Sequence, residues 1–135
     1  MLILNQHPDH NKPLDISDAQ TLGAEAAKEV ERFLSYRDNH VPTPLHALPA
    51  LAAELGIAAL HVKDEGQRLG LGSFKALGGS YAVIRLVLEE ANRQLGRIVD
   101  VSELHTQQVR AIASRMTFGC ATDGNHGKSV AAGAQ

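Results

Sequence analysis

The sequence predicts a parallel α/β fold, and three observations carry that expectation. Short apolar runs alternate with longer segments of helical periodicity. The two clearest runs, residues 57–63 and 117–122, each feed a helix through a glycine-bearing turn. The composition, 44% hydrophobic and 21% charged over 135 residues, is that of an ordinary globular domain. In open α/β sheets ligands settle where strands end and helices begin, so those two turns are where chemistry is to be sought.

Taken in order, residues up to about Asp15 are polar and read as loop, with room for one short strand. A helix is expected from about Asp18 to Tyr36. Ser17 and Gln20 have the capping-box spacing, and Leu22, Ala26, Val30, Phe33 and Leu34 share a face. The run Val41-Pro42-Thr43-Pro44-Leu45 is stiff and extended, because each proline disfavours helix in the residue before it. Pro49 suits the first turn of a short helix that ends near Leu55 and stops at Gly56. Residues 57–63 read as a strand with Leu60 and Val62 on one face. A loop with Gly66, Gly70 and Gly72 follows. Ser73 then caps a long helix carrying Leu77, Tyr81, Ile84 and Leu88 at helical spacing, broken at Gly96. A second amphipathic segment after Ser102 carries Leu104, Val109, Ile112 and Met116. Residues 117–122 form a short apolar strand, 123–127 a turn, and Lys128 opens the last helix.

Charge and composition exclude several functions. Thirteen basic residues against fifteen acidic ones give a formal net charge of -2, with no basic patch for nucleic acid. No apolar run approaches the roughly 18 residues of a membrane span, and the N-terminus lacks the pattern of a secretory signal. With a single cysteine, Cys120, no internal disulfide is available, and the cytoplasm is the expected location. The last residues, Ala131-Ala132-Gly133-Ala134-Gln135, read as the interior of a helix, so a longer polypeptide is expected.

Lys75 opens a helix, where the partial positive charge of the N-terminus disfavours an ammonium. A solvent-exposed surface lysine accounts for that position. A neutral amine that attacks an aldehyde accounts for it too, since the same misfit favours the nucleophilic form. Neighbouring glycines would let a flat ring approach the backbone, with Phe74 beside it. In the second turn, Ala121-Thr122-Asp123-Gly124-Asn125-His126-Gly127, backbone N–H groups point outward as an anion-binding nest. Thr122 adds a hydroxyl, Asp123 a carboxylate and Asn125 an amide. An Asp-Gly turn leading into a helix cap is the plainer reading of the same residues. Gly127-Lys128-Ser129 invites comparison with a nucleotide-binding P-loop, but the glycine such a loop needs five positions earlier is Thr122 here.

Thr43-Pro44-Leu45, Val62-Lys63-Asp64-Glu65, Gly72-Ser73-Phe74-Lys75 and Thr122-Asp123-Gly124-Asn125-His126-Gly127 occur in that order. Together they resemble the fold-type II pyridoxal phosphate (PLP) enzymes, which include serine and threonine dehydratases, cysteine synthase and the tryptophan synthase β chain. The resemblance runs from about Val41 to the end. Within that group, residues 63–79 and 121–127 are similar to the diaminopropionate ammonia-lyases, where an acidic residue stands at the position of Asp123 and most dehydratases carry Ser. Lys128 departs from the Arg usual in that family.

The resemblance implies a tryptophan synthase β-like, fold-type II parallel α/β architecture whose C-terminal part is absent. Its second domain would begin after about residue 78 and remain incomplete. It implies that Lys75 holds PLP as a Schiff base, that Phe74 packs near the cofactor and that Asn125 hydrogen-bonds its phenolic oxygen. The loop of Thr122, Gly124 and His126 would take the substrate carboxylate. The implied reaction is α,β-elimination of 2,3-diaminopropionate to pyruvate and ammonia. Turnover of both enantiomers requires a base on each face, Lys75 on one and Asp123 on the other. No metal is implied. A homodimer is implied, without nucleic-acid or membrane partners. The phosphate-binding loop of such enzymes lies beyond Gln135, so the 135-residue chain by itself is expected to bind PLP poorly and to be inactive. A serine/threonine dehydratase-like lyase is the alternative activity.

Overall fold

Gly23 splits the first expected helix in two. In the computed structural model, which describes residues 3–37 and 39–135, α1 spans Ile16–Leu22 and α2 spans Ala24–Ser35. Gly23 between them is extended (φ -82°, ψ 178°), and a Cβ there would stand 2.2 Å from the carbonyl oxygen of Ala19. Apolar periodicity runs through the break and hides it. The cap also differs from expectation. Asp15, not Ser17, closes the N-terminus of α1: its Oδ1 accepts from the Asp18 N–H at 2.8 Å and from the Ser17 hydroxyl at 2.8 Å. The Asp18 N–H, with Ser17 behind it, holds the Asp15 carboxyl below its ordinary value.

The chain forms two compact units, Met1–Arg32 and Phe33–Gln135. In the first, Ile3, Leu4, Ile16 and Leu22 are exposed. The second unit carries every residue considered for chemistry.

Its sheet has two strands. β1 (Leu45–Ala47) pairs antiparallel with β2 (His61–Lys63), in the register Leu45↔Lys63, His46↔Val62 and Ala47↔His61. The pairing is extended by Leu48 N–H to Leu60 O (2.9 Å) and Asp64 N–H to Pro44 O (2.9 Å). Between the strands lies α3 (Pro49–Glu54), with Pro49 in its first turn and Gly56 at φ +67° beyond its end, as expected. The parallel sheet read from the sequence does not occur among the described residues. The strand expected over 57–63 shortens to β2, and residues 117–122 run without a strand partner among them. An apolar run makes a segment fit for a sheet, but the ladder needs the N–H and C=O groups of a neighbour, which no local pattern specifies.

The stretch Glu65–Gly70, 3₁₀-like but kinked at Arg68 and Leu69, leads from β2 toward α4 (Lys75–Leu95). Phe74, not Ser73, holds the N-cap position and makes no side-chain cap bond; the Ser73 hydroxyl, one residue earlier, accepts from the Lys75 N–H at 3.1 Å, and Gly96 ends the helix at φ +65°. The buried face of α4 is Ala76, Gly79, Ser80, Val83, Val87 and Ala91, rotated from the expected one; Leu77, Tyr81, Ile84 and Leu88 are only half-buried. The bulkiest side chains flank the contact, and small ones fill it. After a capping-box turn at Asp100–Glu103 comes α5 (Gln107–Ala113), which buries Val109 and Ile112. These pack with Val87, Ala91 and Val99 into one aliphatic core, joined by Leu88, Leu95, Leu104, Met116 and Phe118. Burying a side chain such as Val109 contributes about 1.5–3 kcal/mol.

The last helix, α6 (Asn125–Gly133), starts three residues earlier than expected and lies against α4. A Cβ on Gly79 would stand 2.6 Å from Ser129 Oγ, and one on Gly133 would stand 2.8 Å from Ser80 Cα. The two helices therefore touch almost backbone to backbone. Among the described residues no helix is long and apolar enough to cross a membrane.

Candidate active site

The α4–α6 contact brings the two glycine-bearing turns together. Lys75 is the first residue of α4, and Asp123 sits two residues before α6. Lys75 Nζ lies 3.6 Å from Asp123 Oδ1, with the lysine side chain 38% exposed and the carboxylate 83% exposed. The carboxylate offsets the unfavourable field of the helix N-terminus on the ammonium. The pair is accessible to solvent and screened by it.

Thr122 shapes the second turn. Its hydroxyl oxygen accepts from the Gly124 N–H (3.0 Å) and the Gly127 N–H (2.8 Å). Two of the N–H groups expected to form an open nest are thus already used. The N–H groups of Asn125 and His126, in the first turn of α6, have no intrahelical acceptor, and a threonine hydroxyl that accepts through its oxygen still has its O–H to donate. Gly124 takes φ +133°, where a side chain would be strained. A Cβ on Gly127 would stand 2.6 Å from the Thr122 methyl, so both glycines are needed for the turn to close. Asn125 is exposed and His126 half-buried. Phe74 is 66% exposed.

These residues suit a carbonyl cofactor. A primary amine stands partly open to solvent, with a carboxylate beside it and the Asn125 amide in the same turn as that carboxylate. Gly70, Gly72 and Gly124 all have positive φ and open space where a Cβ would be, which leaves room for a flat ring near the backbone. No group of three or more His, Cys, Asp or Glu fit to hold a metal ion occurs among the described residues.

A buried polar cluster beneath the first turn had no role assigned from the sequence. The Arg68 Nε and Nη2 donate to Glu65 Oε2 (2.6 Å) and Oε1 (2.8 Å), a two-pronged ion pair. Arg68 also donates to the Thr43 hydroxyl (3.0 Å) and to Val41 O (3.2 Å), while the Thr43 hydroxyl donates to Glu65 Oε1 at 2.6 Å. The Lys63 ammonium donates to the Thr43 carbonyl. The Arg68 guanidinium, followed by the Thr43 hydroxyl, holds the Glu65 carboxyl down at about 2. Glu65 in turn raises the Arg68 guanidinium. Two of the ordered motifs, Thr43-Pro44-Leu45 and Lys63-Asp64-Glu65, are therefore tied together under the loop that leads to Lys75. The opposite charges three apart at Glu65 and Arg68 were the available sequence signal.

A well-formed cavity lies elsewhere. It holds about 800 Å³, is lined by Phe33, Ile84, Leu104, Met116, Phe118 and Val130 among others, and touches neither Lys75 nor Asp123.

With this geometry, the chain belongs to the family of pyridoxal-phosphate dependent enzymes, whose family model matches residues 36–135. More particularly, it is similar to the diaminopropionate ammonia-lyase of Salmonella typhimurium, 37% identical over 110 residues, which are 82% of this chain and 27% of that protein. The diaminopropionate ammonia-lyase of Escherichia coli K12 is likewise 37% identical over 131 residues, covering 90% of this chain and 31% of that protein. The chain thus spans less than a third of the length of the relatives it matches.

Proposed function

We propose that this chain carries the cofactor lysine of a PLP-dependent ammonia-lyase that acts on 2,3-diaminopropionate: α,β-elimination releases the β-amino group as ammonia, and water hydrolyses the resulting aminoacrylate to pyruvate and a second ammonia. The observation that carries this reading is the Lys75–Asp123 pair at 3.6 Å, an amine and a carboxylate delivered by two different helix starts. The similarity to two diaminopropionate ammonia-lyases supports it.

Lys75 is the residue to hold PLP, with the Asn125 amide set to donate to its phenolic oxygen and Phe74 beside the ring. PLP, when bound, supplies an electron sink for the charge that develops at the substrate α-carbon. The Thr122 O–H and the N–H groups at the start of α6, with Gly124 and His126, bind the substrate carboxylate. That orients the α-hydrogen of one enantiomer toward the Lys75 amine. The α-hydrogen of the other faces the Asp123 carboxylate, so each residue takes a proton on its own face. The architecture proposed with this reading is the tryptophan synthase β-like parallel α/β fold, with a second domain begun after about residue 78 and a homodimer as the working form.

Borohydride reduction in the presence of PLP, carried out on a polypeptide that turns over diaminopropionate and followed by peptide mass spectrometry, tests the cofactor assignment. A pyridoxyl adduct on Lys75 is expected, and an adduct spread evenly over the other lysines defeats it. Ammonia release from diaminopropionate compared with serine tests the substrate; a preference for serine favours the dehydratase-like alternative.

A further inference from the structure

Ser129 lies in the second turn of α6, wholly buried, and has no part in the site proposed around Lys75 and Asp123. Its hydroxyl accepts from the Ser80 N–H at 2.9 Å and donates to the Ala76 carbonyl at 2.8 Å. Ala76 and Ser80 are the two ends of one i, i+4 rung of α4, so a side chain from α6 grips a single rung of its neighbour's backbone. Ala76 is the residue next to Lys75. Gly79 makes the grip possible, since any Cβ there would meet Ser129 Oγ at 2.6 Å and Cβ at 2.8 Å.

A helix can slide along a smooth contact of small side chains with little loss of packing. A hydroxyl bonded to one rung removes that freedom, because displacement by a fraction of a turn breaks both bonds in a buried contact. Asp123 and Asn125 sit at the start of the helix being held, and Lys75 at the start of the helix that holds it. We infer that Ser129 is a positioning residue: its hydroxyl sets the register of α6 against α4 and thereby keeps Asp123 within reach of Lys75. The inference rests on the proposed roles of Lys75 and Asp123 for its functional meaning, but its geometry can be tested without cofactor or substrate.

The probe is a zero-length carbodiimide, which joins a carboxylate to an amine as an amide, with loss of water to the carbodiimide, only where the two meet. Peptide mass spectrometry of the 135-residue chain reads the Lys75–Asp123 amide, with Asp123→Asn as the blank. Ser129→Ala should lower the yield about fivefold or more, since small displacements weigh heavily on reactions between held groups. Ser80→Ala is the control. The Ser80 hydroxyl also donates to the Ala76 carbonyl, at 2.7 Å, but stays within α4, so its loss should leave the yield unchanged. Should Ser129→Ala melt below the assay temperature, Ser129→Cys, which fills the site with a much weaker hydrogen-bonding group, should show the same drop. Wild-type yield in a folded Ser129 variant, or an equal drop in Ser80→Ala, overturns the inference. A pyridoxyl adduct missing from Lys75 in a polypeptide that turns over diaminopropionate counts against the proposed function and leaves the cross-linking result standing.

Discussion

Asp123 Oδ1 stands 3.6 Å from Lys75 Nζ, although the two residues come from separate turns that share no local sequence pattern. Their meeting brings an amine and a carboxylate to one place, where substitution can separate what each does.

In a polypeptide that turns over diaminopropionate, Asp123→Asn should lower the rate on the D isomer by about 10²-fold, the usual worth of a positioned base. The rate on the L isomer should stay near that of the parent. Initial rates of ammonia release from each isomer measure this, and equal loss on both would mean that Asp123 does not serve one face.

Lys75→Ala should abolish the borohydride-trapped pyridoxyl adduct, while Lys63→Ala and Lys128→Ala leave it on Lys75. An adduct of parental size in Lys75→Ala, read by intact mass, would remove Lys75 from its assigned role.

The Glu65–Arg68 pair should make the second unit acid-sensitive. Arg68 holds the Glu65 carboxyl at about 2, below its ordinary 4.5. The folded state therefore binds this proton less readily than the unfolded chain. The stability it contributes is fully present above about 4.5 and drains away as the pH falls toward about 2. Thermal unfolding followed from neutral pH downward should show this loss. In Glu65→Gln the melting temperature should start lower, because Arg68 keeps its burial without its counter-charge, and its fall over that window should be shallower.

Gly78 and Gly79 are neighbours in α4 with opposite expected responses to alanine. A Cβ on Gly78 meets nothing within 4 Å, whereas one on Gly79 meets Ser129 Oγ at 2.6 Å. Gly78→Ala should stabilise by about 0.5–1 kcal/mol, through reduced chain entropy in the unfolded state. Gly79→Ala should destabilise by about 1–3 kcal/mol, because α4 and α6 must move apart. Urea denaturation of the two variants gives both signs in one experiment.

Much of the second unit was legible along the chain. Pro49 and Gly56 bound α3, Gly96 ends α4, and Val109 and Ile112 lie in the core. Each follows from an interaction spanning a few residues. The break at Gly23 was also local, yet an unbroken apolar stripe outweighed one glycine in the reading. The Glu65–Arg68–Thr43 cluster was only half legible. The charge pair is local, but Thr43 reaches it from more than twenty residues away.

By itself, the sequence determined the order of the motifs, the stops of the helices, and the kinds of group that the two turns present. Those depend on backbone preferences and on side chains within one or two turns of each other. The tertiary structure decided that α4 buries its small residues rather than Leu77 and Leu88, that β1 meets β2 antiparallel, and that Lys75 faces Asp123. The physical reason is the same for all three. Which surfaces meet is settled by close packing and by hydrogen bonds closed across long loops, as when Ser129 grips Ala76 and Ser80.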